Sequence, residues 1–182
     1  MTGRTDWLTG TPRREAATDR ILTAAAAVLA ERGFDAVTVD AVVDRAGCSR
    51  ATLYRYLGGR QAILDGVIAR AATEVADRVS AAVDGLDGAD RVVEAILVSV
   101  GAVRSNPALG TWFTGSRSRT VDDYLASSTQ LGALSATLTG LGGDEAGSRW
   151  IVRVVLTLLT WPLPDAETER ETVRRFVAPA FS

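Results

Sequence analysis

The chain has 182 residues, of which 47% are hydrophobic and 23% are charged, so it can bury a substantial core. Its 20 basic residues are all Arg; it has no His and a single Cys, Cys48. These absences exclude a Ser-His-Asp or Cys-His catalytic group, an internal disulfide and a zinc site of the usual Cys and His kind. The net charge of −2 argues against a general nucleic-acid binder.

No segment has the length and apolar character of a membrane-spanning helix. The longest strongly apolar run, residues 150–163, contains Arg153 and is shorter than the roughly 20 residues that a spanning helix needs. Residues 1–20 carry several charged side chains and lack the apolar centre of an export signal. We therefore expect a soluble, cytoplasmic protein with no membrane contact.

The N-terminal part of the chain predicts a flexible arm followed by three helices. Residues 1–11 form the arm, and Thr11-Pro12 is a typical start for a first helix that extends to Arg32. Thr38 and Ser49 are hydroxyl residues suited to the starts of the second and third helices. The second helix ends near Ala46-Gly47, so a short Gly-containing turn joins the two, as in a helix-turn-helix.

The rest of the chain predicts a body of six further helices. No stretch alternates steadily between apolar and polar residues, as a half-buried strand would. The predicted turns lie at Gly and Pro positions and include residues 84–90. The predicted helices cover residues 60–83, 91–105, 108–114, 121–141, 144–160 and 165–178. The expected fold class is all-α, with a three-helix head and a six-helix body.

One block, residues 20–68, carries a specific motif pattern. Its pieces are Ile21-Leu22, Ala24-Ala25, Glu31-Arg32-Gly33-Phe34, Thr38-Val39, Arg45-Ala46-Gly47, Ser49, Thr52-Leu53-Tyr54-Arg55-Tyr56 and Ile63-Leu64. In order and spacing the block resembles the DNA-binding domain of the tetracycline-repressor (TetR) family of bacterial regulators. The remainder is similar to that family only in length and helix layout. The resemblance implies a helix-turn-helix DNA-binding domain over residues 12–59 and a ligand-binding and dimerisation domain over residues 60–182.

The expected DNA contacts follow from this resemblance and from side-chain chemistry. Arg50 and Ala51 lie in the first turn of the helix that helix-turn-helix proteins place in the major groove, where Arg can bridge O6 and N7 of guanine. Tyrosine hydroxyls suit phosphate oxygens, and Thr38 and Arg60, at the starts of the second and fourth helices, are also expected to meet phosphates. Thr52 can contact a base edge or a thymine methyl group. For Tyr54 packing remains an alternative, as does a solvated surface for Arg55. The full expected set is Thr38, Ser49, Arg50, Ala51, Thr52, Tyr54, Arg55, Tyr56 and Arg60.

The body is expected to hold an effector and to form a dimer. The family binds effectors between helices of this domain, and such pockets are mostly apolar, which suggests Trp112, Phe113 and Tyr124 as lining residues. Packing in the core is the alternative for each. The helix over residues 144–160 is apolar nearly all round and so needs partners on two sides. In the family a second subunit supplies one of them. The expected interface residues are Trp150, Ile151, Val155, Leu158 and Phe176.

The sequence thus favours a homodimeric, ligand-responsive transcriptional repressor that binds a palindromic double-stranded DNA operator and is released by a small, mainly apolar effector. No cofactor and no metal is expected. An enzyme finds no support, because acids such as Asp40 lie mainly at helix starts and turns, where helix dipoles favour them. A protein that sequesters ligand without operator recognition is a third hypothesis, and activation instead of repression also remains open.

Overall fold

The structure is a computed structural model, and it describes residues 10–106, Leu109, Leu125 and residues 127–181. Within these ranges the regular structure is helical throughout, which confirms the all-α class. Two short 3-10 helices, Phe34–Ala36 and Ala178–Phe181, accompany the α-helices. The α-helices are α1 (Gly10–Arg32), α2 (Val39–Ala46), α3 (Arg50–Tyr56), α4 (Arg60–Ala82), α5 (Gly88–Ser105), α6 (Thr129–Thr139), α7 (Glu145–Thr160) and α8 (Ala166–Phe176).

Several helix ends differ from the sequence prediction. Helix α1 begins at Gly10 and not at Pro12, and α5 begins at Gly88, inside the turn predicted over residues 84–90. Residues 1–9 of the predicted arm and the predicted helix over residues 108–114, apart from Leu109, lie outside the described residues.

The continuous helix predicted over residues 121–141 is wrong. The chain turns at Ser127 and Ser128, and α6 starts only at Thr129. The hydroxyl of Ser128 accepts a hydrogen bond from the backbone N–H of Leu131 at 3.4 Å, so its side chain caps a new helix. Helix α6 also stops before the predicted Gly142-Gly143, because Gly140 adopts the left-handed conformation (φ 76°) that ends many helices.

The chain divides into two compact units, and the division falls between Arg70 and Ala71, within α4. The family resemblance predicts a boundary between residues 59 and 60 instead. The first turns of α4 pack against α1: a Cβ added to Gly66 would lie 2.6 Å from a side-chain carbon of Leu22. In addition, Arg70 Nη1 lies 2.8 Å from Asp19 Oδ1. These residues of α4 therefore belong to the N-terminal unit.

The N-terminal unit has one apolar core formed by α1, α2, α3 and the first part of α4. The α1 residues buried in it include Ile21, Val28 and Leu29. Leu53 of α3 and Val42 of α2 are also buried in it. At the edge, Arg45 Nη1 and Nη2 donate to the two carboxylate oxygens of Glu31, at 2.5 and 2.6 Å. This hydrogen bonding holds the pKa of the Glu31 carboxyl below its usual value and raises the pKa of Arg45.

The C-terminal unit has its main core between α5, α7, α8 and the final 3-10 helix. The buried members of this core are Val92, Val93, Ile96, Val100, Ile151, Leu158, Leu159, Val173 and Val177. A smaller cluster joins Val79 and Val83 of α4 to Ala95 of α5. Because α7 contributes three residues to the main core, one side of this helix is fully occupied within the subunit.

Candidate nucleic-acid interface

Hydroxyl caps fix the starts of both helices of the helix-turn-helix, as predicted. Thr38 Oγ1 accepts a hydrogen bond from the backbone N–H of Ala41 at 3.1 Å, and Ser49 Oγ accepts one from that of Thr52, also at 3.1 Å. Between them Gly47 takes the left-handed conformation (φ 60°) that ends α2. Its N–H and that of Cys48 bond back to α2 carbonyls. The turn is therefore short and tightly hydrogen-bonded.

Helix α3 is anchored on one side and exposed on the other. Leu53 is completely buried and holds the helix against the core. The surrounding residues Arg50, Ala51, Tyr54 and Arg55 are exposed. The side chain of Tyr54 is 56% exposed, so it does not pack in the core. Thr52 and Tyr56, the other predicted contacts on this helix, are half-buried. Helix α3 therefore presents an Arg, an Ala and hydroxyl groups outward, as a groove-reading helix does.

An ion pair links the two helices of the motif on their exposed side. Arg50 Nη2, in the first turn of α3, lies 2.5 Å from Asp40 Oδ1, in the first turn of α2. Both side chains are well exposed. The sequence had indicated only a helix-dipole role for Asp40, because a first-turn position explains an acid without any partner. Its contact with Arg50, the residue predicted to read a base, is a feature of this surface that sequence reasoning missed.

Arg60 contacts protein and not only solvent. Its Nε donates to the carbonyl oxygen of Val37 at 2.8 Å, and its Nη2 donates to that of Phe34 at 3.0 Å. The guanidinium carbon also lies 5.0 Å from the centroid of the Phe34 ring, within cation-π range. Arg60 therefore ties the start of α4 to the segment between α1 and α2. The phosphate contact expected of Arg60 stays a prediction.

Comparison with known proteins agrees with this geometry. The family described as "Bacterial regulatory proteins, tetR family" matches residues 21–67. An uncharacterised HTH-type transcriptional regulator of Mycobacterium tuberculosis, from two strains, is 35% identical over 182 residues, covering 96% of this chain and 90% of that protein. This chain belongs to the TetR family. As a TetR-family transcriptional regulator it has a DNA-binding helix-turn-helix in α2 and α3.

Solved structures show the TetR fold across both units. A TetR-family regulator of Streptomyces coelicolor is similar with a TM-score of 0.60 and 23% identity, covering 98% of each chain. The TetR-family repressor AlkX of a Dietzia strain, implicated in biodegradation of n-alkanes, is similar with a TM-score of 0.57 and 17% identity. That match covers 90% of this chain and 94% of AlkX. At these identities the likeness establishes the fold alone.

The residues predicted to form the dimer interface differ in how exposed they are. Trp150 of α7 and Phe176 of α8 are 52% and 70% exposed. Ile151 and Leu158, in contrast, are buried in the core of their own subunit, and Val155 packs half-buried against it. The chain's own core therefore accounts for the burial of Ile151 and Leu158, and their contact with a partner stays a prediction. An all-round apolar helix does not reveal from sequence which side its own subunit covers.

The exposed side of α7 is instead a stripe of residues at helical spacing. Trp150, Arg153, Thr157 and Trp161 are all exposed, and steps of three and four residues place them on one face. Trp161, the C-cap residue directly after Thr160, is 72% exposed. We call Trp150, Trp161 and Phe176 the exposed aromatic set. Large exposed aromatic side chains are features of interaction surfaces more than of solvated helices.

The predicted effector residues Trp112, Phe113 and Tyr124 lie outside the described residues. Among the residues that the structure does describe, no group of three His, Cys, Asp or Glu side chains is arranged to hold a metal ion. In the same ranges, no helix combines the length and apolarity needed to cross a membrane. The one buried carboxylate among them, Glu169, is held by Arg104 in an ion pair of 2.8 Å.

Proposed function

We propose that this TetR-family regulator is a homodimeric, ligand-responsive repressor that reads a palindromic operator with α3. The observation that carries the proposal is the arrangement of α3, in which buried Leu53 fixes the helix while Arg50 and Ala51 project into solvent from its first turn. The first turn of a recognition helix is the part that meets base edges in the major groove. The guanidinium of Arg50 can bond both O6 and N7 of one guanine, and Ala51 can contact a thymine methyl group.

Phosphate contacts would come from the neutral hydroxyls around this helix. Thr38 and Ser49 lie at the exposed N-termini of α2 and α3, where helix-end N–H groups and dipoles favour an anion. Tyr54 and Tyr56 add two phenol groups on α3. Such contacts set the register of the protein on DNA without reading sequence. Arg55, exposed beside them, would add charge attraction that weakens as salt rises.

Dimerisation would use the exposed aromatic set on α7 and α8. An interface needs desolvated aromatic anchors, and Trp150, Trp161 and Phe176 supply three large ones. Arg153 lies on the same stripe as the two Trp residues, and the acid Glu171 is exposed on α8, so a second copy could pair these charges across a twofold axis. The two heads would then meet the two halves of a palindromic site.

The effector would be mainly apolar. The chain has neither Lys nor His, so an anionic ligand would have to rely on Arg alone. We retain Trp112, Phe113 and Tyr124 as the proposed contacts. To move the protein from 99:1 in favour of the DNA-binding state to 1:99, the ligand must prefer the other state by about 5.5 kcal/mol.

The test combines DNA binding with effector release. The full chain is titrated with DNA from upstream of its own gene, and hydrophobic small molecules are screened for loss of that complex and for a change in Trp fluorescence. Trp112→Ala should weaken the ligand response and leave unliganded DNA affinity within about a few-fold. Ligand binding by a folded protein that fails to bind any selected DNA would contradict the repressor and support the ligand-sequestering alternative.

A further inference from the structure

The ion pair between Asp40 and Arg50 has no evident structural purpose. Both side chains are well exposed, and an exposed ion pair contributes only about 0–1 kcal/mol to stability. Thr38 already caps α2 through its side chain, and Leu53 already anchors α3. The fold of the motif is therefore specified without the pair.

On DNA the position of the Asp40 carboxylate is electrostatically unfavourable. A carboxylate in the first turn of α2, in contact with the predicted base-reading residue, would lie near a phosphate backbone that repels it. A neutral residue there would give tighter binding to DNA of any sequence. A carboxylate that lowers general affinity can nevertheless improve discrimination, since specificity is a difference between two affinities.

We propose that Asp40 is a positioning and specificity-determining residue that orients the Arg50 guanidinium for a guanine edge and offsets its attraction to phosphates. The inference rests on the proposed base-reading role of Arg50. Arg carries five N–H donors in a planar fork. Asp40 lies against Nη2, which leaves enough donors for a bidentate contact with O6 and N7 of guanine. Because Asp40 partly offsets the charge of Arg50, the attraction between the guanidinium and any phosphate is weaker. The correctly aligned guanine then becomes the preferred partner of Arg50.

The experiment compares Asp40→Asn with a matched control, Asp44→Asn, in the full chain. Asp44 is exposed on α2 one turn further along, so both variants remove one negative charge from the same helix. The probes are the operator selected from random DNA by the wild type, its variants with each single base pair changed, and a scrambled duplex. Each is titrated at two salt concentrations, in the wild-type and Arg50→Ala backgrounds. Circular dichroism and thermal melting verify that every variant is folded.

We expect Asp40→Asn to strengthen binding to DNA of any sequence and to weaken discrimination between bases. Asp40→Asn should tighten binding to scrambled DNA with a salt slope steeper by about one. It should also lower discrimination at the base pair read by Arg50 by roughly three- to tenfold. Asp44→Asn should leave that discrimination unchanged. In the Arg50→Ala background, Asp40→Asn should cause no further loss of discrimination, because the residue it positions is gone.

Other outcomes overturn the proposal in distinguishable ways. If Arg50→Ala lowers discrimination but Asp40→Asn does not, Asp40 has no positioning role and the proposed function stands. If Asp40→Asn lowers discrimination equally with and without Arg50, Asp40 acts independently of Arg50 and the inference fails. If Arg50→Ala leaves discrimination intact at every base pair, both the inference and the base-reading role of Arg50 fail.

Discussion

Arg104 holds the buried carboxylate of Glu169 with both terminal nitrogens, at 3.1 and 2.8 Å. The same guanidinium donates to the carbonyl oxygen of Leu158 at 2.9 Å, so one side chain of α5 joins α7 and α8. A second ion pair between α5 and α8 has the opposite polarity, with Arg170 Nη1 3.0 Å from Glu94 Oε2. Together the pairs fix the register of α8 on α5 beside the core, and with it the position of the exposed aromatic set.

Arg104→Ala should destabilise the body markedly. The change leaves the Glu169 carboxylate buried without its cation and removes the side-chain donor to the carbonyl oxygen of Leu158. We expect the free energy of unfolding to fall by about 2–3 kcal/mol. The loss is smaller than for a fully buried pair because Arg104 is partly exposed. Urea unfolding at neutral pH measures it. Arg170→Ala is the matched control, since its partner Glu94 is less buried, and it should cost less than about 1 kcal/mol. Equal losses for the two variants would contradict the role assigned to Glu169 burial.

Trp161→Glu should produce a folded monomer. The side chain is 72% exposed within the subunit, so the charge is tolerated by the monomer but is buried unpaired in the proposed interface. Sedimentation velocity at micromolar concentration should show the wild type as a dimer and the variant as a monomer with an unchanged circular dichroism spectrum. Leu158→Glu is the contrasting change, because it puts a charge into the subunit's own core and should unfold the body. A monomeric wild type would refute the interface.

Arg60→Ala should lower the stability of the head by about 2 kcal/mol, since it removes two charged hydrogen bonds to the carbonyls of Val37 and Phe34. Arg60→Lys should recover less than half, because Lys cannot reproduce the planar two-nitrogen contact. Chemical unfolding measures stability, and the salt dependence of DNA binding is recorded on the same proteins. Unchanged stability together with a salt slope shallower by about one would instead show that Arg60 neutralises a phosphate.

The stability of α8 should depend on pH through Asp165. Its Oδ1 accepts a hydrogen bond from the Thr168 N–H at 2.8 Å, and its Oδ2 accepts one from the Thr168 hydroxyl at 3.0 Å. These bonds lower the pKa of the Asp165 carboxyl below its usual 3.8. The stability that the ionised Asp165 side chain contributes is therefore present above pH 3.8 and is lost as the pH falls through the lowered pKa.

Thermal melting of wild type and Asp165→Ala across acidic pH tests this sign. The variant should melt lower at pH 6, and the difference should shrink as the pH drops below the unperturbed value. Asp77→Ala removes an exposed acid from α4, in the same unit, without touching the cap and should keep the wild-type pH profile. A difference between wild type and Asp165→Ala that grows on acidification would have the wrong sign for a capping carboxylate.

Local signals in the sequence predicted the helix-turn-helix well. The features that the sequence did not predict depend on long-range contacts. The caps at Thr38 and Ser49 depend on residues only three positions away, so their pattern is visible in the sequence. Arg60 finds its carbonyl partners 23 and 26 residues away, and only the fold brings them together. Ile151 and Leu158 belong to an apolar helix, where periodicity shows burial but not which partner provides it.

Selection of an operator from random DNA, performed in parallel with wild type and Arg50→Ala, tests the central claim most directly. The account predicts that the wild type enriches an inverted repeat, with a G·C pair in each half-site that the folded Arg50→Ala protein no longer prefers, at a cost of about 1–3 kcal/mol per half-site. Binding by the variant to the rest of the repeat should persist. Recovery of the same sequence with the same G·C preference by both proteins would contradict the assignment of α3 as the base-reading helix through Arg50.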